Sequence, residues 1–381
     1  MGKIKLLVVL EATLGGTRKH VFDILKHIDL SKFEVTFCYT LIRADQNFFK
    51  EFERIKERGI ALVEIQMYRE ISLLNDLKAF IKIFKLVRKE RYDLIHVHSS
   101  KAGILGRLAA KLVSQKIITV YTPNSMPINI NKFYKFIEKA AIPFTNKIIA
   151  VSESEKKEII ENKLTKSVIK INSGVHVYTN KIKNKILSKE LKINDDTVIV
   201  VSIGRLTKQK DPLTFFKAIN EYVNILKSNS AFFVWIGDGE LRIHVDEYIQ
   251  SKRLNNYCRI LGWKTNIEEL LWGADIFVLT SIYESFGYVT CEAMSHFLPV
   301  IATNVVGTSD IVIDNECGFL VDKGDYKEIS KKISTLVNDK TLREEMGEKG
   351  NERIKQHFNV IDMVKNTEDL YLKLLDKKIV N

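Results

Sequence analysis

The sequence predicts an α/β protein with two doubly wound, mainly parallel sheets. Its 381 residues exceed what one hydrophobic core usually holds, and at about 100–200 residues per domain the length favours two domains. In each half, short β-branched runs take turns with longer helical patterns, which is typical of parallel strands joined by helices. This alternation stops in a Lys/Asn-rich stretch at 178–194 and then resumes. We interpret that stretch as an inter-domain connection that carries a short helix.

The first half begins with an apolar run that we interpret as a buried strand rather than a signal peptide, because the run is short and has no cleavage site. Gly15 and Gly16 are predicted to form a turn before the first helix. The predicted strands are 5–10, 33–40, 61–65, 94–98, 117–121, 147–151 and 167–171, and the predicted helices are 18–28, 47–58, 73–89, 102–113, 132–141 and 154–161.

The second half repeats this architecture without a visible sequence repeat. Predicted strands are 197–203, 231–236, 258–261, 274–280, 300–302 and 319–321, and predicted helices are 211–226, 241–252, 267–272 and 288–296. Three helical patterns follow at 326–338, 340–357 and 361–373. We expect a first domain at 1–174, joined by the last helix at about 358–381, and a second domain at 175–357.

Composition is that of an ordinary globular protein with a basic surface. The formal charge of +12 favours anionic partners such as phosphorylated small molecules or anionic lipid, and no nucleic-acid-binding motif is present. The four cysteines form no C-x-x-C pair, so buried reduced thiols in a cytoplasmic protein are expected. No apolar run approaches the roughly 18 residues of a membrane span, so any membrane contact is expected to be peripheral.

Two loops at predicted strand ends suit a phosphorylated ligand. Gly15 and Gly16 precede a helix, where paired glycines allow close backbone approach and helix-start amides attract phosphate, although such a pair is more often only a turn. In the second loop, Arg205 and Lys210 lie between a strand and a helix whose first turn suits Pro212. Two fixed cations fit a diphosphate, and a solvated basic loop is the alternative.

A third loop carries two carboxylates, Glu284 and Glu292, directly after a predicted buried strand. Glu284 should lie at the carboxyl end of that strand and Glu292 about one turn inside the next helix. Ligands of open α/β sheets bind at this edge. Ionised carboxylates accept hydrogen bonds from adjacent hydroxyls, so a ligand with several hydroxyl groups is expected.

Taken together, these motifs resemble the large family four of retaining GT-B glycosyltransferases, the group 1 type, which includes bacterial capsule, O-antigen and exopolysaccharide enzymes. The resemblance rests on spaced segments across about 197–322 and on weaker ones in the first half. The segments are Gly204-Arg205-Leu206 with Lys210, Gly237-Asp238-Gly239, Leu261-Gly262-Trp263, Glu284-Ser285-Phe286-Gly287 with Glu292, Gly15-Gly16 with His20, His96 to Gly103, and Tyr121-Thr122-Pro123. It implies two Rossmann-like domains that face a central cleft.

The resemblance also implies roles for single residues. Glu292 would bind the ribose of the donor, and Glu284 would hold the hydroxyls of the donor sugar. Arg205 and Lys210 would bind the pyrophosphate, helped by the Gly16 amide of the other domain. The remaining donor-side residues that it implies are Gly15, Gly204, Gly237, Gly239, Trp263, Ser285, Phe286, Gly287 and Tyr288. Those implied on the acceptor side are His20, His98, Ser99, Lys101 and Asn124.

One residue departs from the family pattern. Many members have a histidine after the Thr-Pro pair, where this chain has Asn124. An amide can hydrogen-bond a sugar but cannot carry a proton near neutral pH, so Asn124 is assigned only to substrate positioning.

Other candidate sites have simpler explanations. His96 and His98 share a strand face but lack a third ligand, so no metal is expected and a buried or acceptor-lining pair is favoured. Asp238 and Glu240 fit a strand-to-helix turn better than a metal signature. Trp235, Trp263 and Trp272 are expected in the core or a pocket wall. Segment 131–142 pairs aromatics with lysines; a solvated helix is favoured over one that rests on anionic lipid.

The resemblance implies a retaining, metal-independent enzyme without a cofactor. It would act in the cytoplasm and transfer a hexose or N-acetylhexosamine from a nucleoside diphosphate sugar, with UDP favoured, to a glycan acceptor that we expect to be lipid-linked. The departing diphosphate would accept the proton of the acceptor hydroxyl, so no enzymic nucleophile is needed. Alternatives are a GT-B-like epimerase or phosphorylase, or a nucleotide-sugar-binding subunit without turnover. A dinucleotide dehydrogenase is disfavoured because no G-x-G-x-x-G follows the first strand.

Overall fold

The computed structural model describes residues 2–124, 132–225, 227–228 and 230–380. The chain forms two compact units: unit 1 holds Met1–Ser173 and Val360–Asn381, and unit 2 holds Gly174–Asn359. Each unit contains one sheet, and every paired strand in both sheets is parallel. The predicted fold class of two doubly wound α/β sheets is therefore confirmed.

In unit 1, the strands are β1 Ile4–Leu10, β2 Phe33–Tyr39, β3 Ala61–Glu64, β4 Leu94–His98, β5 Ile118–Thr122, β6 Lys147–Ala150 and β7 Val168–Lys170. The helices are α1 Gly15–His27, α2 Gln46–Glu57, α3 Leu73–Glu90, α4 Ser100–Val113, α5 Lys132–Ala141 and α6 Glu153–Glu161. The strands lie in the order β3-β2-β1-β4-β5-β6-β7. The order reverses between β1 and β4, and ligands of such sheets bind at the carboxyl ends of the strands beside this point.

In unit 2, α7 Ile186–Leu191 precedes the strands β8 Val198–Ile203, β9 Ala231–Ile236, β10 Cys258–Ile260, β11 Ile276–Leu279, β12 Val300–Thr303 and β13 Gly318–Val321. The helices are α8 Pro212–Asn220, α9 Arg242–Ser251, α10 Ile267–Trp272, α11 Tyr288–Ser295, α12 Thr308–Ile311, α13 Tyr326–Asn338 and α14 Lys340–His357. The order β10-β9-β8-β11-β12-β13 reverses between β8 and β11. The loops after these two strands carry Arg205, Lys210 and Glu284.

Strand β1 shows why the sequences of the strands in unit 1 are continuous apolar runs. Leu6 and Val8 belong to the apolar core on one face of the sheet, whereas Leu7 and Val9 belong to the core on the other face. Successive side chains of a strand point to opposite faces, and helices cover both faces of a doubly wound sheet. Both sets of side chains are therefore buried.

The last helix, α15 Val360–Val380, packs in unit 1. Met363, Val364 and Leu370 join the apolar core there. The Tyr371 hydroxyl lies 2.5 Å from Nδ1 of His96, and a Glu368 carboxylate oxygen accepts a 2.7 Å hydrogen bond from the Asp29 amide. Apolar and polar contacts together fix this helix on unit 1.

Several element boundaries differ from the sequence prediction. Helix α1 starts at Gly15, so the predicted turn at Gly15 and Gly16 is wrong, because the first turn of a helix has unpaired amides and tolerates glycine. The predicted helix 211–226 is α8 followed by a π-helical turn at Glu221–Ile225. The short helix α12 was not predicted, since four residues are too few for a periodic pattern.

The cysteines are buried free thiols, as predicted. Burial raises the pKa of Cys38 and of Cys258 to about 12, so neither is a thiolate near neutral pH. Among the described residues, no helix is both long and apolar enough to cross a bilayer.

Candidate active site

In unit 2, the loop after β8 and the loop after β11 are joined through Thr280. Its hydroxyl lies 2.9 Å from the main-chain oxygens of both Lys210 and Asp211. The Ile282 amide donates a 2.8 Å hydrogen bond to the carbonyl of Gln209. These hydrogen bonds hold together residues about seventy positions apart in sequence at the carboxyl edge of the sheet. Sequence reasoning gave Thr280 no role, and its place directly after a buried strand is the signal that could have found it.

Lys210 and Glu284 form an ion pair in this structure. The Lys210 Nζ lies 2.5 Å from Glu284 Oε1, and the Ser281 hydroxyl donates a 2.6 Å hydrogen bond to the same oxygen. Only 16% of the Lys210 side chain and 9% of the Glu284 side chain are exposed. The sequence predicted two separate roles for these residues, and it gave no sign of the pairing or of Ser281.

Arg205 differs from Lys210 in its surroundings. It is exposed, and its guanidinium forms no hydrogen bond or ion pair with any residue in the described ranges. A fixed backbone with a free planar fork suits a multiply charged oxyanion. The loop thus presents one cation that is held in an ion pair, Lys210, and one that is exposed, Arg205.

The glycines of the donor-side motifs shape this loop. A Cβ on Gly237 would lie 2.1 Å from the carbonyl oxygen of Gly204, and Gly237 has a φ of +132°. A Cβ on Gly239 would lie 2.6 Å from the carbonyl oxygen of Leu206. A Cβ on Gly204 would lie 3.2 Å from the Lys210 side chain. These glycines allow two backbones to touch and let the lysine pass over the loop.

After Glu284, the chain presents a run of main-chain amides. Gly287 adopts a φ of +85°, and α11 begins at the next residue. The amides of Ser285, Phe286 and Gly287 donate no hydrogen bond within the described part of the chain. The Phe286 ring is buried against the rings of Tyr288 and Phe358, with centroids 5.0 and 5.7 Å apart. This packing fixes the loop, so its amides and the Glu284 carboxylate are held as rigid donors and acceptor.

Glu292 lies one turn inside α11, as predicted, and is half-buried. Its negative charge contributes to the raised pKa of Tyr178, which burial dominates. The neighbouring His296 contacts the rings of Trp272 and Tyr178 at 4.5 and 4.7 Å, and burial lowers its pKa to about 4. A neutral aromatic cluster therefore supports this part of the helix.

The three tryptophans lie in different environments. Trp235 and Trp272 are buried, as expected for core residues. Trp263 is 64% exposed, so the core is excluded for it and a wall position stays a prediction. It follows Gly262, whose carbonyl accepts a 2.8 Å hydrogen bond from the Gly237 amide. Asp238 caps the Gly239 amide at 2.8 Å, which fits the predicted turn.

In unit 1, Gly15 and Gly16 open α1, and no side chain caps this helix start. Gly15 has a φ of +71° with open space around it. The amides of the first turn have no partner inside a helix and favour an anion. The predicted phosphate contact of Gly16 stays a prediction.

Four of the acceptor-side candidates meet at the carboxyl ends of β4 and β5. The rings of His20 and His98 are 5.5 Å apart, and Asn124 Nδ2 lies 3.4 Å from His98 Nδ1. Ser99 and Asn124 adopt the left-handed region, with φ of +65° and +57°. Such strain in non-glycine residues is stored mainly at functional sites.

Burial keeps the histidines of this cluster neutral. It lowers the pKa of His20 to about 4 and the pKa of His98 well below its ordinary value. His96 lies between the Tyr371 hydroxyl and the Thr122 hydroxyl, 2.7 Å from the latter. His20 also contacts the Ser173 hydroxyl at 3.1 Å, a partner that sequence reasoning missed. The predicted buried histidine pair is present and includes a third ring.

The side-chain amide of Asn124 contacts both the backbone and the His98 ring. Its amide nitrogen also donates to the Thr122 carbonyl at 3.2 Å, which fixes the orientation of the amide. The same nitrogen lies 3.4 Å from Nδ1 of the neutral ring, and an amide N–H that donates to Nδ1 requires the ring proton on Nε2. That Nε2 is buried and lacks a partner within the described residues.

Lys101 is separated from this cluster by its contacts. Its Nζ lies 2.6 Å from the Asp76 carboxylate and also bonds to the Glu70 carbonyl. Its side chain is 11% exposed. In this structure Lys101 joins the start of α4 to the start of α3, and an acceptor contact would require it to leave Asp76.

Within the described residues, no three His, Cys, Asp or Glu side chains are grouped so that they could hold a metal ion. The aromatic and lysine segment at 131–142 falls partly outside the described residues. From Lys135 onward its side chains can be assessed, and Phe136 is 70% exposed while Glu138 is buried.

Comparison with known proteins assigns the family. The family model Glycosyltransferase Family 4 matches residues 14–177, and Glycosyl transferases group 1 matches residues 183–353. The chain is 31% identical to the UDP-Gal:alpha-D-GlcNAc-diphosphoundecaprenol alpha-1,3-galactosyltransferase of Escherichia coli, over 81% of this chain and 83% of that protein. It is 30% identical to the capsular polysaccharide biosynthesis glycosyltransferase CapM of Staphylococcus aureus, over 92% of this chain and 96% of that protein.

Solved structures match nearly the whole chain. Anabaena HepE in complex with UDP and glucose gives a TM-score of 0.82 at 20% identity, over 97% of this chain and all of that one. Sucrose-phosphate synthase from Thermosynechococcus elongatus gives 0.82 at 18% identity, over 98% of this chain and all of that one. At such identities the likeness shows the fold alone. With the two family models and the two relatives, it establishes that the chain belongs to the group 1 and family 4 glycosyltransferases of the GT-B fold.

Proposed function

We propose that this glycosyltransferase moves a hexose or N-acetylhexosamine, with retention of configuration, from a UDP-sugar to a glycan acceptor in bacterial surface polysaccharide synthesis. The observation that supports donor binding is that Lys210, Glu284 and a run of main-chain amides without hydrogen-bond partners in the described residues lie at one edge of the sheet. A sugar diphosphate offers hydroxyls to the carboxylate and oxyanions to the cations.

Lys210 and Glu284 exchange partners when the donor binds. A sugar hydroxyl replaces the ammonium on Glu284, and the ammonium moves to the diphosphate beside the exposed Arg205. The Ser281 hydroxyl stays on Glu284 Oε1 and holds the carboxylate in place. The ion pair thus keeps both side chains oriented before the donor arrives.

The transfer then proceeds on one face of the sugar. The acceptor oxygen forms a bond to the anomeric carbon as the bond from that carbon to the β-phosphate oxygen breaks. The acceptor hydroxyl proton passes to the departing diphosphate. Negative charge grows on that diphosphate, so cations at Arg205 and Lys210 stabilise the transition state more than the ground state. The protein's own cations supply this role without a metal, and activity should persist in a chelator.

On the acceptor side, we propose that the cluster around His98 orients the accepting glycan. The neutral ring can donate one hydrogen bond through Nε2, and Asn124 keeps it in that tautomer. Asn124 is thereby a positioning residue and needs no proton of its own.

The names of the relatives support a role in surface polysaccharide synthesis. The Escherichia coli relative is named for an acceptor linked to diphosphoundecaprenol, and the Staphylococcus aureus relative for capsular polysaccharide. The proposal therefore includes a lipid-linked acceptor, a cytoplasmic location at the inner face of the cell membrane, and peripheral contact with an anionic bilayer.

A panel of nucleotide sugars tests this function without knowledge of the acceptor. One member of the panel, a UDP-sugar, should bind more tightly than the others and be hydrolysed slowly to UDP. With a suitable acceptor, UDP release should become steady, and NMR should show the same anomeric configuration in donor and product. Binding without any UDP release would instead support a nucleotide-sugar-binding subunit, and an inverted product would overturn the retaining mechanism.

A further inference from the structure

Helix α3 exposes an apolar stripe at its amino-terminal end. Leu73 is 85% exposed, Leu74 is 75% exposed, and Leu77 and Ile81 follow on the same face. Side chains four residues apart on a helix lie above one another, so Leu73, Leu77 and Ile81 form a continuous line. The opposite face holds the buried Ala79, Ile83 and Val87. Large exposed apolar side chains that stand together mark an interaction site.

A basic stripe runs beside these leucines. Lys78, Lys82 and Lys85 are exposed on α3, and none forms an ion pair with another described residue. Arg88 and Lys89 continue the basic stripe toward the end of the helix. Of the acidic residues of α3, Asp76 pairs with Lys101 and Glu90 pairs with Lys89 at the end of the helix, so neither pairs with Lys78, Lys82 or Lys85. The solvent face of α3 is therefore apolar along one edge and positively charged along the other.

We propose that this face of α3 binds the surface of an anionic lipid bilayer, with the leucines inserted among the acyl chains and the lysines on the headgroups. An apolar edge beside a row of unpaired cations is the pattern of a helix that lies in a membrane interface. Anionic lipid complements the charge and accepts the apolar side chains at once. The helix is not a spanning one, since its other face is part of the core of unit 1.

The position of α3 links this surface to the acceptor-side cluster. Lys101 follows β4 and holds the start of α3 through Asp76 and the Glu70 carbonyl. The exposed leucines therefore lie at the end of α3 that is tied to the sheet edge carrying His98 and Ser99. A lipid-linked glycan would reach this edge from a bilayer at α3. That link rests on the proposed lipid-linked acceptor, and the α3 surface deepens the proposed bilayer contact, which vesicles measure without any acceptor.

Helix α5 is the rival surface that the sequence suggested. Of its described side chains, Phe136 is exposed, but Glu138 is turned inward to Arg107. It thus offers one exposed aromatic side chain where α3 offers four aliphatic ones. The variant Phe136→Ser distinguishes the two helices.

Flotation of the full-length protein with vesicles tests the proposal. The vesicles contain 30% phosphatidylglycerol in phosphatidylcholine, with pure phosphatidylcholine as reference. Lys82→Gln with Lys85→Gln should lower the partition coefficient by roughly 25-fold, at about fivefold per lysine. Leu73→Ser with Leu77→Ser should lower it at least tenfold at any salt concentration. Binding of the wild type should weaken in 0.5 M salt and on neutral vesicles.

Two matched variants control for surface changes in general. Ile243→Ser removes an aliphatic side chain that is 70% exposed in unit 2, and Phe136→Ser tests α5. Both should float like the wild type. Wild-type protein that does not float, or α3 variants that float unchanged, would overturn the proposal. The proposal would also be overturned if the wild type did not bind vesicles and sedimentation showed that the leucine variant dissociates an oligomer.

The outcome is separable from the proposed function. Slow hydrolysis of the nucleotide sugar in solution without vesicles should be the same in wild type and α3 variants. Wild-type protein that hydrolyses the nucleotide sugar but does not bind vesicles would refute the lipid surface alone. Vesicle binding without any nucleotide-sugar binding would refute the glycosyl transfer alone.

Discussion

Lys210 and Arg205 lie in the same loop, but their side chains are restrained to different degrees. Lys210 is held by a carboxylate that is only 9% exposed, while Arg205 extends into solvent. Under the proposed mechanism, both residues bind the leaving diphosphate more strongly as its negative charge develops. Their loss should therefore affect turnover more than ground-state binding.

Replacement of Arg205 or Lys210 by alanine should lower the turnover number by about 100- to 1,000-fold. The affinity for UDP should fall by less than about tenfold, because the nucleoside contacts remain. Steady-state kinetics and calorimetric titration of UDP measure the two effects. Lys208→Ala is the matched control, since Lys208 is an exposed cation of the same loop. Unchanged turnover in either variant, or an equal loss in the control, would refute the assigned role.

The sequence predicted where the site residues lie but not how they pair. Glu284, Glu292, Arg205 and Lys210 follow buried strands, so their place at the carboxyl edge followed from the α/β pattern. The contact between Lys210 and Glu284 joins positions 74 apart and depends on which strands are neighbours. Local sequence carries no information on that order. Lys101 illustrates the same limit, because its partner Asp76 lies on another helix.

At the scale of elements, α5 is fixed to unit 1 by a buried charge pair. Arg107 Nη2 lies 2.9 Å from Glu138, and both side chains are almost fully buried. The guanidinium also lies 4.0 Å above the Tyr121 ring, whose hydroxyl donates to Glu138 at 2.9 Å. A Cβ on Gly103 would lie 2.6 Å from that ring, so glycine is needed for α4 to pack there.

Glu138→Gln should destabilise the protein by about 3–5 kcal/mol, because it leaves the buried Arg107 charge without its counter-ion. Urea unfolding followed by circular dichroism measures the change. The double variant Arg107→Met with Glu138→Leu should recover most of the loss, since it removes both charges. Lys331→Gln disrupts an exposed pair with Glu328 and should cost at most about 1 kcal/mol. A single variant no worse than this control would contradict the account.

Element boundaries show what sequence patterns resolve. The strands of both sheets were predictable because both faces are covered and each strand reads as an apolar run. The start of α1 was not, because glycine predicts a turn on propensity alone. At that position the helix begins with Gly15 at positive φ, and the tertiary packing of residues such as Phe22 and Leu25 outweighs propensity.

At the scale of the whole molecule, two buried groups of unit 1 give opposite pH dependence to stability. Burial lowers the pKa of His20 to about 4, so its contribution is complete above pH 6.5 and is lost as the pH falls toward 4. Burial raises the pKa of Glu155 to about 7, so its contribution is complete below about pH 4.5 and is lost as the pH rises through 7.

Two variants separate these contributions in urea unfolding between pH 5 and pH 7. Relative to wild type, Glu155→Gln should gain about 2 kcal/mol as the pH rises from 5 to 7, because the amide never ionises. His20→Gln should gain about 2 kcal/mol relative to wild type as the pH falls from 6.5 to 5. Each variant controls for the other, since the two differences must have opposite slopes. Parallel profiles for all three proteins would contradict the burial of these groups.

The central claim is that Glu284 binds the sugar end of the donor and Glu292 the nucleoside end. Calorimetric titration of UDP and of the UDP-sugar selected by the panel, into Glu284→Gln and Glu292→Gln, tests it most directly. Loss of a charged hydrogen bond should cost about tenfold or more in affinity. Glu284→Gln should weaken only the UDP-sugar, and Glu292→Gln should weaken UDP and the UDP-sugar by the same factor. Equal weakening of UDP by Glu284→Gln, or unchanged UDP affinity in Glu292→Gln, would contradict the account.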